Sequence, residues 1–100
     1  MENTKQEFID ICRKCADECT NNAKICREEG MDACETACME CADACNKVVA
    51  EGKTNSMLFE QCADACNACA TECQKYPYTN CIDCAEVCRM CEEQCISMAA

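Results

Sequence analysis

Histidine and tryptophan are absent from these 100 residues; glycine (two), proline (one) and aromatic side chains (four) are scarce. Each shortage excludes something. Without histidine, no Cys–His or Ser–His catalytic pair can form, and no enzyme is expected. Almost no glycine or proline argues against a loop-rich disulfide scaffold. Four aromatics and few large aliphatics cannot fill an ordinary apolar core. No stretch approaches the roughly 18 apolar residues of a membrane span. Basic residues are also few, nine against 19 acidic ones, for a formal net charge of −10. Nucleic acid and anionic membrane are therefore poor partners.

What the chain does have is sulfur, with 17 cysteines. Such density in a short chain usually marks a secreted disulfide protein. The odd number forbids a complete set of internal bridges. Residues Met1 to Phe8 are polar, with no apolar segment or cleavage site of a secretion signal. The expected setting is a reducing cytoplasm, with sulfurs that stay as thiols or bind metal. The length fits one domain over residues 1–100.

Turn signals at Gly30, Gly52 and Tyr76-Pro77-Tyr78 divide the chain into four segments. Thr4 with Glu7 reads as a capping box, Asp32 with Glu35 as a near-equivalent, and Asn55 or Ser56 as a third cap. Gly30 and Gly52 stand where left-handed residues would end the first two helices. Pro77 stops the third, and Thr79 or Asn80 starts the fourth. The expected helices run about 4–29, 32–51, 56–75 and 80–98.

The first helix carries Phe8, Cys12, Cys15, Cys19, Asn22 and Cys26 on one stripe, and the second Met31, Cys34, Cys38, Cys41, Cys45 and Val48. The third carries Phe59, Cys62, Cys66, Cys69, Cys73 and Tyr76, and the fourth Cys81, Cys84, Cys88, Cys91, Cys95 and Met98. Every step is three or four residues, alternating, the pattern of a heptad seam. All 17 cysteines lie on these seams, flanked by alanines such as Ala16, Ala37, Ala44, Ala63, Ala70 and Ala85. Short connections predict an all-α, up-down-up-down antiparallel four-helix bundle with a cysteine-lined core.

Uniformly small seam residues would leave a void along the axis, so cysteine as mere packing is a poor explanation. Disulfides within a helix are strained, because residues one turn apart have Cβ atoms about 5–6 Å apart. Metal fits better. Seven i,i+4 pairs occur, Cys15/19, Cys34/38, Cys41/45, Cys62/66, Cys69/73, Cys84/88 and Cys91/95. A two-coordinate metal between two thiolates needs sulfurs about 4.5 Å apart. Thiolates alone form a soft set that suits Cu(I), zinc or iron–sulfur clusters.

Charge weighs among these. Ionising 17 thiols takes the chain from −10 to −27, and buried uncompensated charge costs several kcal/mol per ion. Four Zn²⁺ would neutralise less than half of the new charge, whereas one Cu⁺ per thiolate neutralises all of it. Iron–sulfur ligands usually lie on wrapping loops. A thiol redox or iron–sulfur electron-transfer protein and a zinc–thiolate buffer stay open as alternatives.

The repeated C-x3-C pairs of the last three helices, with Cys15/Cys19, resemble the bacterial copper storage proteins over essentially the whole chain. The resemblance implies a cysteine-lined bundle that holds many Cu(I) ions, largely on C-x3-C pairs. It also implies a tetramer of bundles, the cytosolic version of the family, and delivery or removal by a copper chaperone or efflux system. Metal ligands on this reading are the 17 cysteines. Family members commonly place His or Met at the bundle mouth, and this chain has no His.

The remaining seam residues mark the two ends. Phe8, Val48, Phe59 and Met98 gather at one, which reads as plugged. Cys26, Met31, Tyr76 and Cys81 gather at the other, with Asn22 one step inside. Copper is expected to enter there and pass inward by thiolate exchange. Met31 then serves as a soft handoff ligand or as packing, and Asn22 as part of the mouth or as a register-setting polar residue.

Overall fold

The computed structural model describes residues 2–51 and 55–99, with side chains from Lys5 onward. Four helices follow one another: α1 (Glu2–Glu28), α2 (Asp32–Glu51), α3 (Ser56–Cys73) and α4 (Thr79–Ala99). The expected all-α bundle is what forms. The differences lie at the helix ends.

α1 begins at Glu2, ahead of the expected Thr4 cap, whose side chain lies outside the described residues. Its other end closes as foreseen: Gly30 adopts φ +73°. The Gly30 N–H reaches the Arg27 carbonyl at 3.3 Å and the Met31 N–H reaches the Cys26 carbonyl at 2.8 Å. These two bonds make a Schellman motif, in which a left-handed residue lets its own amide and the next one satisfy orphan carbonyls. The same turn starts α2. The Met31 carbonyl accepts from the Glu35 N–H at 2.9 Å. Met31 thus holds the cap position expected for Asp32, which is the first helical residue instead. Glu35 reaches back to Arg27 of α1 rather than closing a capping box.

Gly52 falls outside the described residues. Asn55 caps α3, its side-chain oxygen accepting from the Met57 and Leu58 N–H groups at 3.1 and 3.3 Å. α3 stops at Cys73, two residues before the expected limit, and Gln74 to Pro77 carry the chain across. The Tyr78 carbonyl opens α4, accepting from Cys81 and Ile82.

Contacts across the bundle define its direction. From α2 to α3 the closest sulfurs pair as Cys45–Cys62, Cys41–Cys66, Cys38–Cys69 and Cys34–Cys73, at 3.5, 3.5, 3.6 and 3.7 Å. From α1 to α4 sulfurs meet as Cys12–Cys91, Cys15–Cys88 and Cys19–Cys84, at 3.9, 3.9 and 3.8 Å, and Cys19 also reaches Cys88 at 3.6 Å. One number rises as the other falls, so these neighbours run antiparallel. The cause is local. A C-x3-C-x2-C-x3-C spacing reads the same in both directions, so two antiparallel copies meet step for step.

The result is a rod of 41 × 18 × 18 Å. Ala16, Ala23, Ala42, Ala63, Ala70 and Ala85 are buried beside the seams. Ala37 and Ala44 are only partly so. Small side chains at these positions let the backbones approach. Outside, Arg89 of α4 ties to Asn67 of α3 and to Gln74 just beyond it, at 2.6 and 3.0 Å. Every described aspartate and glutamate is exposed or partly exposed. Among the described residues no helix is long and apolar enough to cross a membrane.

Candidate metal column

All 17 cysteines are free and have no exposed surface. They form one continuous column along the bundle axis. At the plugged end Val48 is fully buried, and Phe8 and Phe59 meet edge to face, their ring centroids 5.1 Å apart. Met98, the fourth residue expected there, is partly buried against the core.

Within the column the sulfurs group in overlapping sets of four, each set with all its Sγ atoms within 4.8 Å of one another. Cys12, Cys62, Cys91 and Cys95 form the first, next to the aromatic plug. Cys15, Cys45, Cys66 and Cys91 form the second; Cys15, Cys19, Cys41 and Cys88 the third. Cys19, Cys69, Cys84 and Cys88 follow, then Cys38, Cys69, Cys73 and Cys84. Four of the seven i,i+4 pairs lie inside these sets, namely Cys91/95, Cys15/19, Cys84/88 and Cys69/73, and Cys62/66 stands at 4.0 Å. Adjacent helical turns therefore offer sulfurs at the separation a two-coordinate soft metal needs.

One expectation changes. The seams leave no open void between their sulfurs, because four slim helices draw the thiols into contact across the axis at 3.5–4.0 Å. Thiol-to-thiol contacts fill the column.

Asn22 takes the place of a cysteine in α1 and is 2% exposed. Its Nδ2 donates to the sulfurs of Cys38, Cys73 and Cys34 at 3.4, 3.5 and 4.0 Å. Its Oδ1 accepts from Asn80 Nδ2 at 2.6 Å, and the same Asn80 nitrogen lies 3.5 Å from Cys81 Sγ. The buried amide is thus satisfied on both sides, as burial requires. Asn80 is a site residue that sequence reasoning treated only as a helix start. Its single-residue offset from the seam gave no signal. Met31 is buried at this end, while Tyr76 is partly exposed and Tyr78 more so, their rings stacked 6.1 Å apart.

Electrostatics separates the mouth from the column. Burial pushes the Cys26 thiol up to about 11, and burial raises Cys81 and Cys34 as well. Deeper in, thiols share protons. Hydrogen bonds from Cys19, Cys69 and Cys73 lower Cys38, while those from Cys12, Cys62 and Cys91 raise Cys95. Among the described residues no cationic side chain is buried with these sulfurs, so an ionised thiolate there has no fixed positive charge to balance it.

A column of this kind has relatives. The family model described as copper storage protein matches residues 1–100. The chain belongs to the copper storage protein family. A similar protein is the uncharacterized cysteine-rich protein YhjQ of Bacillus subtilis (strain 168), 37% identical over 108 aligned positions that cover the whole of both chains. No solved structure matches. For a copper storage family the buried sulfur column is the part of the molecule with the chemistry to hold the cargo.

Proposed function

We propose that this chain stores Cu(I), close to one ion per cysteine, on thiolates inside the bundle. The observation that carries the reading is that all 17 cysteines are fully buried in one unbroken column. Nitrogen ligands are absent and carboxylates lie outside, so the donor set is soft throughout. Each Cu⁺ that replaces a thiol proton leaves the core charge unchanged, which avoids the several kcal/mol per ion of an uncompensated buried charge. Five of the seven i,i+4 pairs already stand near the bridging separation. Cross-helix pairs at 3.5–3.9 Å widen by up to about an ångström to admit a metal between them.

On this reading the 17 cysteines are the ligands. Copper enters at the end that holds Met31 and Asn22 and moves inward by thiolate exchange. The protein acts as a non-enzymatic store in a reducing cytoplasm, exchanging copper with a chaperone or efflux system, and assembles as a tetramer.

Zinc is the second reading, since sets of four sulfurs within 4.8 Å suit tetrahedral thiolate sites. The sets share members, however: Cys15, Cys19, Cys69, Cys84, Cys88 and Cys91 each belong to two. Separate four-thiolate ions compete for those sulfurs, whereas a chain of bridged Cu(I) ions uses them jointly. Anaerobic titration of the reduced protein with Cu(I), followed by native mass spectrometry, tests the proposal. Uptake approaching one ion per cysteine is expected. Saturation at about four ions or fewer, or isolation with about four tightly held Zn²⁺, overturns it.

A further inference from the structure

At the mouth a side cavity of about 240 Å³ is lined by Ile25, Glu29, Met31, Tyr78 and Asn80. It brings together the end of α1, the turn into α2 and the start of α4. Its chemistry suits a soft cation in transit. Glu29 supplies negative charge, and the Met31 thioether supplies a soft, uncharged donor.

Asn80 links this cavity to the column. Its amide nitrogen holds Asn22 Oδ1 at 2.6 Å and stands 3.5 Å from Cys81 Sγ. Behind it, Asn22 spreads over Cys34, Cys38 and Cys73. Two amides in series therefore stand between the cavity and the sulfurs of Cys38 and Cys73, which belong to the set Cys38, Cys69, Cys73 and Cys84. An amide is a poor ligand for a soft metal, so the pair bars the path without holding the cargo.

We propose that the Asn22–Asn80 hydrogen bond is a gate that meters Cu(I) passage between this side cavity and the sulfur column. The inference rests on the storage reading above and adds a route and a rate-setting element to it. Asn22 is the fixed half, fully buried and held by sulfurs. Asn80 is the moving half, partly exposed in the first turn of α4. Rotation of Asn80 toward solvent breaks the bond and uncovers Cys81 and Asn22. Asn80 is thus a positioning residue, and copper never needs to bind it.

The test uses the reduced full chain and Asn80→Ala, with helicity checked by circular dichroism. Two rates are followed: alkylation of the metal-free protein by iodoacetamide, mapped cysteine by cysteine, and Cu(I) uptake from a weak chelator. Loss of one such hydrogen bond is expected to raise both by about fivefold or more. Alkylation should quicken at Cys81, Cys34 and Cys38 while Cys12 and Cys62 keep their rates, and the final copper count should not change. A bond that only sets helix register would alter thermal stability and leave the alkylation pattern as it was. Wild-type rates in both assays, with full copper uptake, overturn the gate and leave storage intact. Faster alkylation at the mouth with low copper uptake in both proteins overturns storage and leaves the Asn22–Asn80 bond as a barrier to the mouth thiols alone. Should Asn80→Ala fail to fold, Asn80→Asp keeps the size, removes the donor and must show the same acceleration.

Discussion

The ring of Phe8 meets the ring of Phe59 edge to face, at an interplanar angle of 86° and a centroid distance of 5.1 Å. These residues sit on diagonal helices, and their contact closes one end of the sulfur column. Nearly all other buried side chains are cysteine or alanine, so this pair carries a large share of the ordinary apolar packing. Replacing Phe59 with Ala should cost about 3–4 kcal/mol. Chemical denaturation of the reduced protein measures that loss directly. Copper capacity, counted by native mass spectrometry, should stay the same because the thiols are untouched.

Gly30 gives a smaller and more local effect. Its φ of +73° is left-handed, and a Cβ built there meets nothing within 4 Å. The cost of Gly30→Ala is therefore conformational alone, about 1 kcal/mol. A thermal midpoint lowered by a few degrees, with unchanged helicity, is the expected result. A midpoint equal to that of the wild type would mean that the turn between α1 and α2 does not fix the bundle.

The seam was legible because its period needs no tertiary information. Seventeen cysteines at alternating steps of three and four fix which face is inside, and the symmetric spacing even determines which sulfurs meet across α2 and α3. Caps were less legible. Asp32 looks like a cap by residue type, yet Met31 holds the position because the Schellman turn around Gly30 fixes where α2 begins. Asn80 was not legible as a site residue either. Its link to Asn22 spans 58 positions and depends on the angle at which α4 enters the bundle. The closed column escaped for a related reason: spacing gives the face of each thiol but not the distance between helices.

Protons should act in opposite directions on the two forms of the protein. In the metal-free form burial raises the Cys26 thiol from 9.0 to about 11, and raises Cys81 too. The folded state then holds protons that the unfolded state releases. That stabilisation is fully present below about pH 9 and is lost as pH climbs toward 11. Urea midpoints of the reduced protein should stay level up to pH 9 and then fall. The copper-loaded form should fail at the other extreme, since protons compete with Cu(I) for sulfur in acid. Retention of copper by the loaded protein, followed by gel filtration down the pH scale, reads that limb. Metal loss that does not depend on pH would argue against thiolate ligation.

Met31 allows side chain and backbone to be tested separately. Its N–H closes the Schellman motif on the Cys26 carbonyl at 2.8 Å, and its carbonyl accepts from Glu35 at 2.9 Å. Both are main-chain duties that any residue without the constraints of proline can perform. The side chain is 8% exposed and borders the side cavity at the mouth. Met31→Leu keeps the volume and the apolar packing and removes only the thioether, a substitution that usually costs less than about 1.5 kcal/mol. If the thioether hands copper to Cys26 and Cys81, uptake from a weak chelator should slow several-fold in Met31→Leu. The final count should fall by no more than about one ion, because the 17 cysteines proposed as ligands are intact. An uptake rate equal to that of the wild type would leave Met31 with its backbone and packing roles alone, and would pass the admission step to the thiols of Cys26 and Cys81.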